Sequence, residues 1–434
     1  MNKVLGLFLF FFLITGCSLD KKSGLWTKQE KIENDKELVV LELFKEDKNF
    51  ENELNTNVRI QIKSEFSKNF FLNNLNNNNG RINYDGNLKK ISKYKFSKID
   101  NFKKLEPELV FDKNNLIFFD NKGSILKFDQ FSKLIWKANY YEKREKKLKP
   151  ILNIASHENY LIVTDSFAKY YLIDIESGNL IWMKRNLAPF NSQIKVYKDN
   201  FFVTDFLNVL RCYSIKTGEE LWSIKTDNSF VKSQKKLSLA ISDSIVFFSN
   251  SLGDISAVDI DKGKLLWQTP TQDSSIYESS FQLKTSDLVI ANNSILFSNN
   301  INEFYSLDIK TGTLIWMQKI NSSIRPTIVD NLVFTVTEDG FLTILEFDTG
   351  NIIRITNVFD RIKQKKRSKI KPVGFIIGSK NIYLTTSKGH LIIIDISKGK
   401  PISMIKIDNE NLSRPFVLDK KLFIIKDSAI VKLD

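Results

Sequence analysis

The chain has 434 residues and a formal net charge of +14. Its length leaves room for several small domains or one large repetitive one. Lys, Asn, Ile and Phe are all abundant, as in proteins from AT-rich genomes, so the charge is no argument for nucleic-acid binding, and with Cys17 and Cys212 as the only cysteines a disulfide framework is excluded.

From the N-terminus, Lys3 precedes an apolar run from Val4 to Ile14, too short to span a membrane and placed as the core of a secretory signal. The run ends in Ile14-Thr15-Gly16-Cys17, which resembles a bacterial lipobox. The expectation is a signal peptide over 1–16 and a diacylated Cys17, with an ordinary signal peptide as the alternative. Ser18 stands where an Asp would resemble an inner-membrane retention signal, which points to the outer membrane, facing the periplasm. Residues 17–84 read as a partly disordered tether. Within it "FLNNLNNNNG" (71–80) is polar and of low complexity, and "ELVVLELF" (37–44) is apolar enough to form a strand or dock on a partner.

Next comes "KKISKYKFSKI" (89–99), where Ile91, Tyr94 and Phe96 make a strand, and a further strand near Pro107–Phe111. From there a unit repeats. "YLIDIESGNLIWMK", "CYSIKTGEELWSIK", "ISAVDIDKGKLLWQ", "FYSLDIKTGTLIWMQK", "LTILEFDTGNIIRI" and "LIIIDISKGKPISM" align on Gly178, Gly218, Gly263, Gly312, Gly350 and Gly399. Trp182, Trp222, Trp267 and Trp316 each lie four residues after their glycine, and Trp136 marks an earlier copy with Ser132 in the glycine column. From Ser132 onward the spacings are 46, 40, 45, 49, 38 and 49 residues. A period in the forties built of strands signals a propeller or a related array.

Each column has a physical reason. Apolar residues flank a polar one, as Leu307 and Ile309 flank Asp308, the period-two pattern of a strand with one face buried. The glycine marks a turn that needs positive φ. The tryptophan buries a large area between neighbouring sheets. Asp308 is then a turn residue rather than a catalytic one, since its column recurs round the chain. Two further strands precede each unit, giving four per blade. A last stretch, 414–434, supplies three strands and lacks the fourth. An open edge is a liability, so residues 90–98 are expected to provide it. The prediction is an all-β chain: an eight-bladed β-propeller of four-stranded antiparallel blades over 85–434, closed by an N-terminal strand.

Nothing in the sequence forms a nucleophile motif, a metal-ligand spacing or a phosphate loop. His157 and His390 are far apart, and Cys212 lies in an apolar strand. No metal or cofactor is expected.

The Asp-x-x-x-Gly-x-x-x-Trp columns resemble the propeller repeats of quinoprotein (PQQ) dehydrogenases. Together with the lipobox they resemble the BamB family of outer-membrane assembly lipoproteins. The dehydrogenase resemblance implies a quinone, a Ca²⁺ site of oxygen ligands, a catalytic Asp and an adjacent cysteine pair, and the chain has no such pair. The BamB resemblance implies a non-catalytic scaffold that binds the periplasmic POTRA domains of BamA within the outer-membrane β-barrel assembly (BAM) complex. A lipoprotein propeller that binds polysaccharide or another ligand is a third reading. By repeat count the implied BamA contacts fall on the connections 228–236 and 277–287, with Val231, Lys232 and Gln234 in the first and Tyr277, Glu278, Lys284 and Asp287 in the second. The family's leucine/arginine and aspartate-rich loop patterns do not occur there. The basic runs 143–149 and 361–371 are expected on the same face, as solvated loops or as a patch that steers an acidic partner.

Overall fold

A computed structural model describes residues 52–67, 75–100, 102–227, 233–271 and 283–434. The signal peptide, Cys17 and the 37–44 stretch lie outside them.

Eight separate sheets, each of four antiparallel strands, make up the ring. Blade five shows the plan: strand A Val289–Ala291 is innermost, followed by B Ser294–Ser298, C Phe304–Asp308 and D Leu314–Gln318. Strand B is buried throughout and strand C mostly so, while strand D is mostly exposed, with Trp316 its one buried residue, as expected of an outer edge. Blade eight takes strands A to C from Phe416–Leu418, Lys421–Lys426 and Ala429–Leu433. Its strand D is Lys90–Lys95, paired antiparallel with Ala429–Leu433. The expected closure is therefore present, and it covers an edge that would otherwise invite pairing with another chain.

The glycine and tryptophan columns meet across the seams between blades. Trp267 of blade four donates its indole N–H to the Ile309 carbonyl of blade five at 3.2 Å. A Cβ on Gly312, whose φ is +70°, would stand 2.5 Å from the same ring. Glycine is needed there twice, for the left-handed backbone and for the close approach of the ring. Trp136, Trp182, Trp222 and Trp316 make the same bond to Ile175, Ile215, Ile260 and Phe347. Their rings lie against Gly178, Gly218, Gly263 and Gly350. Two of the remaining three seams use other side chains. Tyr94 donates its hydroxyl to Gln130 O at 3.4 Å between blades eight and one. Arg354 occupies the tryptophan position between blades six and seven, donating to Ile396 O at 3.0 Å with its guanidinium against Gly399.

The aspartate column behaves as turn chemistry. The carboxylate of Asp308 accepts from the N–H groups of Lys310 and Thr311 at 2.9 and 2.8 Å. A second column, between strands B and C, does the same work. Asp120, Asp165 and Asp205 each accept two backbone N–H bonds across that turn, as do Asn250 and Asn299. These are Asx turns, in which the side chain replaces a backbone acceptor.

The described part of the stretch read as a tether lies on the ring. Leu54 exchanges two 3.0 Å backbone bonds with Ile355, extending the outer edge of blade six. Arg354, fully buried, donates to Val58 O at 2.9 Å and to Ser397 O at 2.5 Å, and Ile60 N donates to Ser397 O at 3.0 Å. Lys63 N then reaches Asp330 at 2.7 Å. Residues 75–82 cross the lower end of the central channel, bonding in turn to Ile241 of blade four, Ile290 of blade five, Ile328 of blade six and Ile377 of blade seven. The asparagine-rich sequence is what permits this. Asn77 takes a φ of +64°, and its amide donates to the carbonyls of both Leu239 and Leu288 at 2.8 Å. A polar run with side-chain donors satisfies the inner strand edges where an apolar one would leave them unpaired.

Candidate interaction face and channel mouth

In a blade of this topology the D-to-A connections and the B–C turns emerge on one face, here called upper. The connections carry the length variation, which makes this the face where sequence differs most between blades. Of the residues placed there from sequence, Val231, Lys232, Tyr277 and Glu278 lie outside the described residues. Gln234 and Lys284 are exposed. Asp287 is not: its carboxylate is held by the guanidinium of Arg325, with Nε at 2.5 Å, at the mouth of the channel.

The two connections meet each other. Ser233 Oγ donates to Leu283 O at 2.6 Å. Lys235 Nζ donates to Thr285 O at 2.6 Å and to Ser323 O at 2.7 Å, and lies 3.7 Å from Glu106. One partly buried lysine thus joins the connections entering blades one, four, five and six. A buried ammonium needs such partners, and losing them would leave its donors unsatisfied. The sequence reading placed the two connections on adjacent units but had no means to see Lys235 as their link.

The basic runs form short helices on the same face, Lys143–Lys147 and Gln364–Arg367. Part of their charge is used locally. Glu145 pairs with Lys169 at 2.6 Å, and Arg367 donates to Ile362 O and Asp360 O at 2.8 and 2.7 Å. The remaining lysines of both helices are on the surface.

The channel mouth is built from residues just before or at the start of strand A in several blades. Glu108 of blade one accepts from Arg325 of blade six at 3.3 Å and from Arg414 of blade eight at 3.1 Å. Arg414 also lies over the Phe416 ring, 4.9 Å from its centroid. Lys195 of blade three bonds to Asn77 Oδ1 on the channel floor. Burial pushes Asp287 and Glu108 toward neutrality, but the surrounding cations outweigh it. Arg325, Lys235 and Arg414 hold Asp287 far below the usual carboxylate range, and Lys236, Arg414 and Arg325 hold Glu108 down to about 2. Burial lowers Lys195 to about 7, against the attraction of Glu108. Burial and the like charge of Arg325 lower Arg414 to about 10. Solvent reaches this site through the mouth, since the Glu108 side chain keeps 34% of its exposure.

Among the described residues no group of three or more His, Cys, Asp or Glu is placed to hold a metal. The channel-mouth carboxylates are already engaged by Arg325, Arg414 and Lys235. Cys212 is fully buried, its thiol pushed up to about 12 by burial, which makes it a packing residue.

Comparison with known proteins agrees with this geometry. A family model described as outer membrane protein assembly factor BamB matches residues 106–356, more than half of the chain. The chain belongs to the BamB family. BamB from Moraxella catarrhalis superposes with a TM-score of 0.63 at 14% identity, covering 80% of this chain and 100% of that one. The same ring also superposes on quinohemoprotein alcohol dehydrogenase from Comamonas testosteroni, at TM-score 0.62 and 10% identity over 81% of this chain and 78% of that one. A europium-containing methanol dehydrogenase gives 0.63 at 11%, over 82% and 88%. At these identities the structural matches establish the propeller fold alone. No curated protein matches the chain in sequence.

Proposed function

We propose that this chain is a non-catalytic scaffold of the outer-membrane β-barrel assembly machinery, held to the outer membrane on its periplasmic side by a lipid on Cys17. In this reading the upper face binds the periplasmic POTRA domains of BamA and so aids folding and insertion of outer-membrane proteins. The observation that carries it is the BamB family match over a propeller whose 233–237 and 283–288 connections are locked together by Ser233 and Lys235. Segments joined in this way suit a docking face, because those segments need little further ordering on binding. Gln234 and Lys284 stand exposed on this pair, and Val231, Lys232, Tyr277 and Glu278 belong to the same connections. The lysines of 143–149 and 361–371 add a positive field that steers an acidic surface toward the face.

The test is a titration of the full chain against the periplasmic domains of its own organism's BamA, and in parallel against PQQ with Ca²⁺. Saturable binding to BamA, weakened by substitution of Gln234 and Lys284 together, is the expected result. Uptake of the quinone with no binding to BamA would overturn the reading.

A further inference from the structure

Above the asparagine floor the channel holds a cavity of about 110 Å³, lined among others by Asn77, Asn79, Glu108, Lys195, Arg325 and Arg414. Water occupies about 30 Å³ per molecule in the liquid, so the space suits a few waters or one small ion. Its charged lining has more cations than anions: Lys195, Arg325 and Arg414 against Glu108.

The guanidinium pair is also short of acceptors. Arg325 spends Nε and Nη2 on Asp287 and Glu108. Among the described residues Arg414 gives only Nη2, to the same Glu108 oxygen. Each guanidinium carries five N–H donors in a planar fork suited to a carboxylate. Gly374 helps to set this pair, because a Cβ there would stand 2.5 Å from Arg414 Cβ.

We propose that the cavity is a binding site for a carboxylate, which enters from the upper face and bridges Arg414 and Arg325. Glu108 shows within the fold how one carboxylate spans both guanidiniums, and it competes with the ligand for them. The carboxylate belongs either to a small free acid or to the C-terminus of a polypeptide, and both present the same planar anion. The site is independent of the assembly role proposed above.

The experiment is calorimetric titration of the full chain, at fixed ionic strength, with acetate, with succinate, and with a short peptide bearing either a free or an amidated C-terminus. Saturable binding of at least one carboxylate is expected. Arg414→Gln should weaken it about tenfold or more, the scale of a lost charge-assisted hydrogen bond. Glu108→Gln, which removes the internal competitor, should tighten it by a similar factor, a gain that misfolding does not produce. Binding of acetate or succinate identifies a small acid. Binding of the free peptide but neither its amide nor the small acids identifies a chain terminus. No saturable binding at millimolar concentration, or binding that neither variant changes, would overturn the proposal.

Discussion

Replacing Gly312 with Ala isolates what the glycine column does. The new Cβ would meet Trp267 Cε3 at 2.5 Å and Thr269 Oγ1 at 2.7 Å, at a backbone φ of +70°. The left-handed conformation costs an alanine about 1–2 kcal/mol. Forcing the indole aside costs about 1–3 kcal/mol more, as for other overpacked sites. The sum is about 2–5 kcal/mol, read as a fall in the urea midpoint at unchanged slope. The two parts separate in a double-mutant cycle. In a Trp267→Ala background the ring is gone, and Gly312→Ala should cost only the backbone part of about 1–2 kcal/mol. Ser132 is the internal control: it occupies the same column at a φ of +65° and already carries a Cβ. Ser132→Ala should therefore change stability by under about 0.5 kcal/mol. If Gly312→Ala costs no more than Ser132→Ala, or the cost is the same with and without Trp267, ring contact is not what selects glycine.

Three further outcomes follow from the geometry. Deleting 85–98 removes strand D of blade eight and exposes the Ala429–Leu433 edge. That variant should self-associate in sedimentation and melt lower, and a monomer with an unchanged melting temperature would refute the closure. Arg354→Met leaves the carbonyls of Val58 and Ile396 without their donor and removes one of the two donors to Ser397 O, at a cost of roughly 2–4 kcal/mol. Limited proteolysis should then cut within 52–62 faster than in the wild type, and equal protection would show that the segment is held by other contacts. Lys195 has its affinity for a proton lowered from 10.5 to about 7, chiefly by burial. Between those values the unfolded chain binds more protons than the folded one, so this residue makes stability rise with pH from about 7 to 10.5. Denaturant midpoints across that range should rise less steeply in Lys195→Met, and identical slopes would refute the burial.

The wall of the ring was legible because it repeats. Six copies of a glycine turn and five tryptophans after their turns carry the pattern, and a single copy such as 304–319 would have been ambiguous. The closing strand was legible for a different reason: the last unit lacks an edge partner and only one apolar stretch lies upstream at the right distance. Residues 52–67 and 75–82 were not legible, because their bonds run to carbonyls and edges of blades far along the chain, such as Asn55 to Ile353. Polar composition there reads as a loop whether the segment is free or bonded. Arg354 was hidden by its chemistry, since an arginine in an apolar column looks like a surface residue until its acceptors are known. The channel mouth was hidden by its construction: Glu108, Asp287, Arg325 and Arg414 come from four units and share no local motif. Asp287 belonged to the expected docking set on the strength of its connection, and only three-dimensional pairing reveals that Arg325 occupies it.

The pairing of Lys90–Lys95 with Ala429–Leu433 has a consequence for how the chain is made. Blades one to seven are each continuous in sequence and can stack one upon another as they emerge. Blade eight is not, so the first strand of the ring to be synthesised stays without its partner until the last one arrives. Residues 75–82 are in the same position, because the inner edges they bond belong to blades four to seven. Two segments made before any complete blade are thus among the last to lock, and completion of the ring registers that every blade between them is present.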